Sequence, residues 1–137
     1  MVTQAQYRAA CAKVMPEKEL LATVMTMAQA LGYLTYHTWR SDHSEAGFPD
    51  VTIVGHGRFL MRELKRESGQ ETPEQTAWLA ALADAGVDAG VWRPIDLLSG
   101  AILDQLRGVA VTGVGAQSAG VSVADVATSV QYSGPRP

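Results

Sequence analysis

The chain has 137 residues, of which 47% are hydrophobic and 18% are charged, proportions that suit one globular domain with a real core. Its net charge of −3 excludes a protein that binds nucleic acid through overall charge, so any such binding needs a local basic patch. The single cysteine, Cys11, excludes a disulfide framework within the chain.

The N-terminal segment lacks the apolar region of a secretory signal, and no apolar stretch reaches the roughly 18 residues that a membrane span requires. We therefore expect a soluble, intracellular protein of the cytoplasm that has no membrane partner.

The first predicted element is a helix over residues 16–31. Its apolar residues recur at helical spacing, Pro16 suits the first helical position, and Gly32 suits the C-cap. The aromatic and β-branched run 33–39 predicts a strand, and the polar residues 40–49 predict a loop. Residues 1–15 carry no predicted element and form an N-terminal extension.

Two strands are predicted over 50–55 and 58–65. The two residues between them, His56 and Gly57, form a tight turn, because Gly57 can adopt the positive φ that a two-residue hairpin requires. The sequence therefore predicts a β-hairpin over 50–65.

The register of this hairpin places three charged residues together. If Gly55 pairs with Arg58, Asp50 lies directly opposite Glu63. Side chains alternate along a strand, so Lys65 shares a face with Glu63. Both carboxylates and the lysine thus meet at one end of the hairpin.

The second half of the chain contains a helix, a strand and a weaker helix. The polar loop 66–72 is followed by a helix that Thr72, Pro73 and Gln75 start, with Gln75 able to complete a capping box. The predicted ranges are 73–86, 87–92 and 95–107. The order α-β-β-β-α-β-α predicts an α/β fold, a mixed sheet flanked by helices, over residues 16–107.

A tail rich in Gly, Ala, Val and Ser follows over 108–137. Its Val-x-Val pairs suit an edge strand or an oligomer contact, and its lack of large side chains suits a flexible appendage.

Opposed carboxylates destabilise a sheet unless something resolves their repulsion. A divalent cation does so, because hard oxygen ligands suit Mg²⁺ or Mn²⁺. Asp50 and Glu63 would supply carboxylates and Leu64 its backbone carbonyl, while Lys65 could orient or deprotonate water or neutralise phosphate charge. The chemistry indicated is hydrolysis of a phosphodiester.

These residues carry a family resemblance. Pro49-Asp50, a hairpin and Glu63-Leu64-Lys65 resemble the PD-(D/E)xK nuclease signature. The chain resembles more narrowly the virus-type replication-repair nuclease (VRR-NUC) domain, through Gly47-Phe48-Pro49-Asp50, Thr72-Pro73-Glu74-Gln75, Trp78-Leu79 and Val91-Trp92-Arg93-Pro94. The resemblance covers roughly residues 16–98 and implies a restriction-endonuclease-like fold.

The resemblance also implies residue roles. Asp50 and Glu63 would bind the metal, and Lys65 would be catalytic. A glutamate on the first helix, Glu17 or alternatively Glu19, would lie near the metal, and Gln75 matches a glutamine at the start of the second helix. For both glutamates the competing interpretation is compensation of the helix dipole, and for Gln75 it is the capping box.

Two other side chains have competing interpretations. Trp78 is interpreted as a core residue rather than a platform for base stacking. His37 lies on an alternating strand, so it either faces the site or is a structural or solvent-exposed histidine.

A local basic patch is expected to contact nucleic-acid phosphates. It comprises Arg58, Arg62, Lys65 and Arg66, with Arg40 in the preceding loop. The competing interpretation is an ordinary solvated strand edge. Phosphate contacts carry no sequence information, so we expect selection by the shape of the nucleic acid.

The resulting hypothesis is a metal-dependent DNA nuclease of replication, repair or recombination, of a kind that the resemblance associates with bacterial viruses. A homodimer on duplex or branched DNA is expected from the same resemblance. One alternative is a non-catalytic nucleic-acid-binding subunit with the nuclease fold. Another is an assembly protein that oligomerises through its Val-rich tail.

Overall fold

The structure is a computed structural model that describes residues 1–39 and 42–108. In these ranges the helices are α1 (Gln4–Val14), α2 (Glu17–Ala30), α3 (Pro73–Asp84), α4 (Pro94–Leu98) and α5 (Ala101–Arg107). The strands are β1 (Leu34–His37), β2 (Val51–Gly55), β3 (Arg58–Leu64) and β4 (Asp88–Trp92).

The strands form one sheet in the order β1-β2-β3-β4. The first three strands are antiparallel neighbours, and β4 runs parallel to β3 after a crossover through α3. The sheet is therefore mixed and helices flank it, which confirms the predicted fold class.

The β2–β3 hairpin has the predicted register. Gly55 pairs with Arg58, and the last ladder pair is Val51 with Arg62. His56 and Gly57 have φ values of 51° and 71°, the two positive values of a type I′ turn. The ladder stops one residue short of Asp50, which therefore lies just outside the strand.

The core lies between the sheet and one layer of helices. Leu20 and Val24 of α2 are fully buried against Ile53 and Leu60 of the sheet. Helices α4 and α5 extend this layer, and Trp92, Ile102 and Leu106 close it.

The opposite face of the sheet is covered less completely. Helix α3 contacts β4 on this side, and none of its residues is fully buried. Leu34, Val54 and Phe59 lie side by side across the other three strands, where directly paired residues share a face, and all three are exposed.

Two segments differ from the predicted elements. The chain before residue 16, for which no element was predicted, forms α1, which begins with a capping box of Thr3 and Gln6 and packs against α4. The predicted helix 95–107 is two helices, because Gly100 has a φ of +88° and interrupts the helical path.

Two of the predicted features lie outside the described residues. These are the arginine at position 40 and nearly all of the tail, 109–137. Among the described helices, none has both the length and the apolarity needed to cross a membrane.

Candidate active site

The predicted site lies at one end of the sheet. Strand β3 ends there at Leu64, β2 begins there at Val51, and helices α2 and α3 both begin close by, at Glu17 and Pro73. The unpaired N–H groups of a helix N-terminus favour negative charge, so this end suits an anionic substrate.

Pro49 and Asp50 together end the β2–β3 ladder. Continuing the register places Pro49 opposite Leu64, and proline has no N–H with which to pair the Leu64 carbonyl. Asp50 Oδ2 instead accepts the Leu64 N–H at 2.8 Å. A strand residue directs its N–H and C=O to the same side, so the Leu64 carbonyl also faces the Asp50 side.

Glu63 is a buried acid, with only 2% of its surface exposed. Its Oε1 accepts a hydrogen bond from Gln75 Nε2 at 2.6 Å and lies 3.6 Å from Lys65 Nζ. Its Oε2 is buried without any hydrogen-bond partner. An unpaired carboxylate oxygen is costly to bury, so this atom marks a place for a cation or a proton.

The electrostatics of the site agree with this geometry. Burial and, after it, the nearby charge of Asp50 together raise the pKa of Glu63 to about 8, and the charge of Lys65 opposes the shift. A protonated Glu63 can donate to Asp50, whereas two ionised carboxylates can only repel each other. The pair therefore shares either a proton or a cation.

Glu17, rather than Glu19, borders this end of the sheet. It lines a pocket of about 260 Å³ together with His37, Asp50 and Leu64. Partial burial and the charge of Asp50 raise the pKa of Glu17, while Lys65 lowers it. Of the two glutamates in the first turn of α2, geometry thus favours Glu17 as the nearby acid.

Gln75 fulfils both interpretations that the sequence left open. Its backbone N–H and side-chain oxygen complete a capping box with Thr72 at the start of α3. Its Nε2 is then free to donate to Glu63. The helix cap fixes the amide, and the amide orients the carboxylate.

The residues present fit a divalent cation that keeps several waters. No group of three or more His, Cys, Asp and Glu side chains within residues 1–39 and 42–108 is arranged to hold a metal by itself. Mg²⁺, however, is typically held by one or two protein carboxylates plus water and substrate phosphate. Asp50, the unpaired oxygen of Glu63 and the Leu64 carbonyl match that requirement, with Glu17 placed to act through water.

Gly47 explains why the loop before Asp50 takes its path. Its φ is +92°, and a Cβ built on it would lie 2.5 Å from the backbone carbon of Glu74. Only glycine allows the loop to pass this close to the first turn of α3. The contact sets Asp50 and Gln75 in position relative to each other.

The expected basic patch is corrected at two positions. The Arg62 side chain lies on the core face, binds Asp88 Oδ1 at 2.8 Å and lies over the Trp92 ring at 4.8 Å. Arg58 donates to the Tyr33 hydroxyl and the Leu106 carbonyl at the turn end of β3. Both guanidinium groups are hydrogen-bonded to residues at the core, so neither is available to bind phosphate beside Asp50.

Other cations lie nearer the site. Arg66 is exposed directly after Lys65, and Lys18 lines the same small pocket as Glu17. The Arg93 guanidinium donates to the carbonyls of Arg66 and Gly69 at 2.6 and 2.7 Å, which fixes the loop after Lys65. The sequence alone predicts no role for Lys18 or Arg93, because their positions depend on contacts between distant segments.

An aromatic group beside the site was also missed. Trp78 is only half-buried, and its Nε1 donates to the Ala46 carbonyl. It packs edge to face on Phe48, whose ring is also exposed. The interpretation of Trp78 as a core residue is therefore wrong in part.

A comparison with solved structures shows what fold this arrangement belongs to. A structure described as a VRR_NUC domain is similar to this chain, with a TM-score of 0.55 over 64% of this chain and 94% of that chain. This protein has the fold of a VRR_NUC domain. The identity is 19%, so the likeness establishes the VRR_NUC fold and the roles of residues rest on geometry. No protein-family model and no curated protein matches the chain.

Proposed function

We propose that this protein is a metal-dependent nuclease that hydrolyses DNA phosphodiester bonds. The observation that carries the proposal is the buried carboxylate of Glu63, which has one unpaired oxygen beside Asp50 and Lys65. The VRR_NUC fold supports the same class of chemistry.

The metal would be Mg²⁺ or Mn²⁺, held by Asp50, Glu63 and the Leu64 carbonyl. When bound, it supplies Lewis-acid polarisation of the phosphate and activation of water. Gln75 orients Glu63 by its hydrogen bond at 2.6 Å. Lys65 neutralises charge that develops on the phosphate and holds a proton near the attacking water.

The DNA backbone would be positioned by cations and helix ends at this edge of the sheet. Lys65, Arg66 and Lys18 supply the charge, and the N-termini of α2 and α3 supply oriented N–H groups. None of these contacts reads a base, so cleavage would be structure-selective, which suits replication, repair or recombination in a bacteriophage.

A homodimer would complete this small basic surface by doubling it. The exposed row of Leu34, Val54 and Phe59 supports self-association, because contiguous apolar surface favours an interface. Light scattering of the native protein and of Phe59→Ser tests this part. A native monomer would remove the dimer from the proposal.

Cleavage of labelled single-stranded, duplex, flap and four-way-junction DNA in Mg²⁺ or Mn²⁺ tests the nuclease. We expect cleavage by the native protein, and none by Asp50→Asn, Glu63→Gln or Lys65→Ala. Glu17→Gln is expected to retain activity reduced by about 10- to 100-fold, the usual cost of losing a group that acts on a metal through a bridging contact.

Glu19→Gln is the matched control for Glu17→Gln, because both acids lie in the first turn of α2 and only Glu17 lines the pocket. Calorimetric titration with Mn²⁺ supplies a readout that does not depend on activity. Full activity in Asp50→Asn or Glu63→Gln would remove those ligands. DNA binding without cleavage by the native protein would favour the non-catalytic binding subunit instead.

A further inference from the structure

A second and larger cavity adjoins the acidic site. It is a groove of about 800 Å³ on the sheet face that carries α3, within the size range of small-molecule sites. Asp50 and Thr38 line both this groove and the smaller pocket that holds Glu17 and His37. The two cavities therefore meet at a carboxylate that we propose as a metal ligand.

Aromatic rings form much of the wall of this groove. Tyr36, Phe48 and Trp39 are 64%, 41% and 85% exposed, and Trp78 completes the set. Phe48 and Trp78 hold each other edge to face, with centroids 5.2 Å apart, and Trp78 is anchored by its hydrogen bond to Ala46. Single exposed apolar residues are ordinary, whereas four rings around one groove indicate a binding surface.

The rest of the wall is formed by small and polar residues together with three further carboxylates. Asp42, Glu45 and Glu74 line the groove. Carboxylates repel phosphate, and they accept hydrogen bonds from the exocyclic amino groups that adenine, cytosine and guanine carry. The lining thus suits the ring and edge of a nucleobase, while the phosphate stays at the Lys65 side of Asp50.

The strand register places Tyr36 on the same face of the sheet as Asp50. Tyr36 pairs with Thr52, which is two residues from Asp50 and so lies on the same face of the sheet. A base stacked on Tyr36 would belong to a nucleotide close to the phosphate at Asp50.

We propose that this groove, formed by Tyr36, Trp39, Phe48 and Trp78, binds an unpaired nucleobase of a nucleotide beside the scissile phosphate. A base within a duplex is stacked on both faces and paired at its edge, so it cannot enter without leaving the helix. The substrate class is therefore DNA that is single-stranded or frayed at the cut. This inference rests on the proposed function for the position of the phosphate.

Binding of two DNAs tests the inference separately from cleavage. One is a blunt duplex, and the other is the same duplex with a single-stranded extension that carries 2-aminopurine next to the junction. Affinity and fluorescence are measured with Ca²⁺ in place of Mg²⁺. We expect tighter binding of the extended duplex, and quenching of 2-aminopurine by stacking.

Tyr36→Ala is expected to weaken binding of the extended duplex about tenfold, in line with the worth of one base–aromatic stack, and to leave blunt-duplex binding unchanged. Tyr36→Phe keeps the ring and should retain tight binding. Tyr7→Ala is the matched control, because Tyr7 is 66% exposed, close to the 64% of Tyr36, and lies on α1 away from the groove.

Equal affinity of Tyr36→Ala and native protein for the extended duplex would overturn the inference, as would absence of quenching. If such a protein still cut DNA, only the groove assignment would fail. If binding depended on Tyr36 but no DNA were cut, the nuclease proposal would fail and the base-binding groove would stand.

Discussion

Glu63 is buried, which disfavours a charged carboxylate, whereas its proposed role as a metal ligand requires that charge. Its backbone lies in β3 opposite Val91 of β4 and its carboxylate is buried, so the neighbouring groups decide whether Glu63 is protonated. In the absence of metal the folded protein must keep Glu63 protonated or bear the cost of a buried charge.

The stability of the metal-free protein should therefore fall as the pH rises. Glu63 has an ordinary pKa of 4.5 that folding raises to about 8, so the folded state binds more protons between these values and loses stability across them. Thermal unfolding in EDTA at pH 5 to 8 measures this. Glu63→Gln should flatten the profile and raise Tm at pH 8 by about 4 °C or more, equivalent to about 1 kcal/mol.

The exposed Glu45 supplies the control, since Glu45→Gln should keep the native pH profile. A Glu63→Gln protein as pH-sensitive as the native one would contradict this account of the site. The expected combination, higher stability with no cleavage, would show that the carboxylate is kept at a cost to the fold.

At the scale of elements, the loop before β2 and the start of α3 act as one unit. The close contact of Gly47 with the first turn of α3 holds the loop against the helix. The capping box of Thr72 and Gln75 fixes the start of the helix itself. The site depends on backbone positions as much as on its charged groups.

Gly47→Ala should lower both stability and cleavage. Alanine at positive φ costs about 1–2 kcal/mol, and here its Cβ would also overlap the Glu74 backbone at 2.5 Å. Gly100→Ala is the matched control, because its φ is +88° and a Cβ there meets nothing within 4 Å. Measured at a temperature where both variants are folded, only Gly47→Ala should lose activity. Equal activities would show that the close approach is unimportant.

The features that the sequence predicts correctly are those that depend on local information. The hairpin register, the Gly57 turn, the cap of α3 and the fold class all follow from neighbouring residues, and the structure agrees. Helix α1 was missed although Thr3 and Gln6 repeat the capping signal of Thr72 and Gln75.

The prediction that Arg58 and Arg62 contact phosphate is wrong for a different reason. Strand alternation already places Arg58 and Arg62 on the face opposite Glu63 and Lys65. Their partners Asp88 and Leu106, however, lie far along the chain, so the sequence does not show that both side chains are held against the core. The aromatic groove was missed for the same reason, since its rings come from β1, a loop and α3.

At the scale of the whole molecule, the cations have two different roles, because Arg62 lies on the core face of the sheet and Arg66 is exposed in the loop after β3. Arg62→Ala should lower Tm by about 4 °C or more, because it removes packing on Trp92 and the bond to Asp88. Arg66→Ala should leave Tm unchanged and reduce the slope of log affinity for DNA against log salt by about 1.

Thermal unfolding and salt-dependent binding of the two variants check this division. If Arg62→Ala unfolded like the native protein and reduced the salt slope instead, Arg62 would belong to the DNA surface after all. Pairing these two residues is informative because they differ in position by four and have the same side chain.

The ending of the β2–β3 ladder at Pro49 has a consequence for how such a protein can diversify. The proposed hydrolytic groups lie at or directly beside the ends of β2 and β3, whereas Phe48 and two of the three groove carboxylates, Asp42 and Glu45, belong to the segment before β2. Insertions or replacements ahead of Gly47 would alter which DNA is chosen and leave the cutting groups in register. Substrate choice could then change in small steps, without the loss of activity that would otherwise block each step.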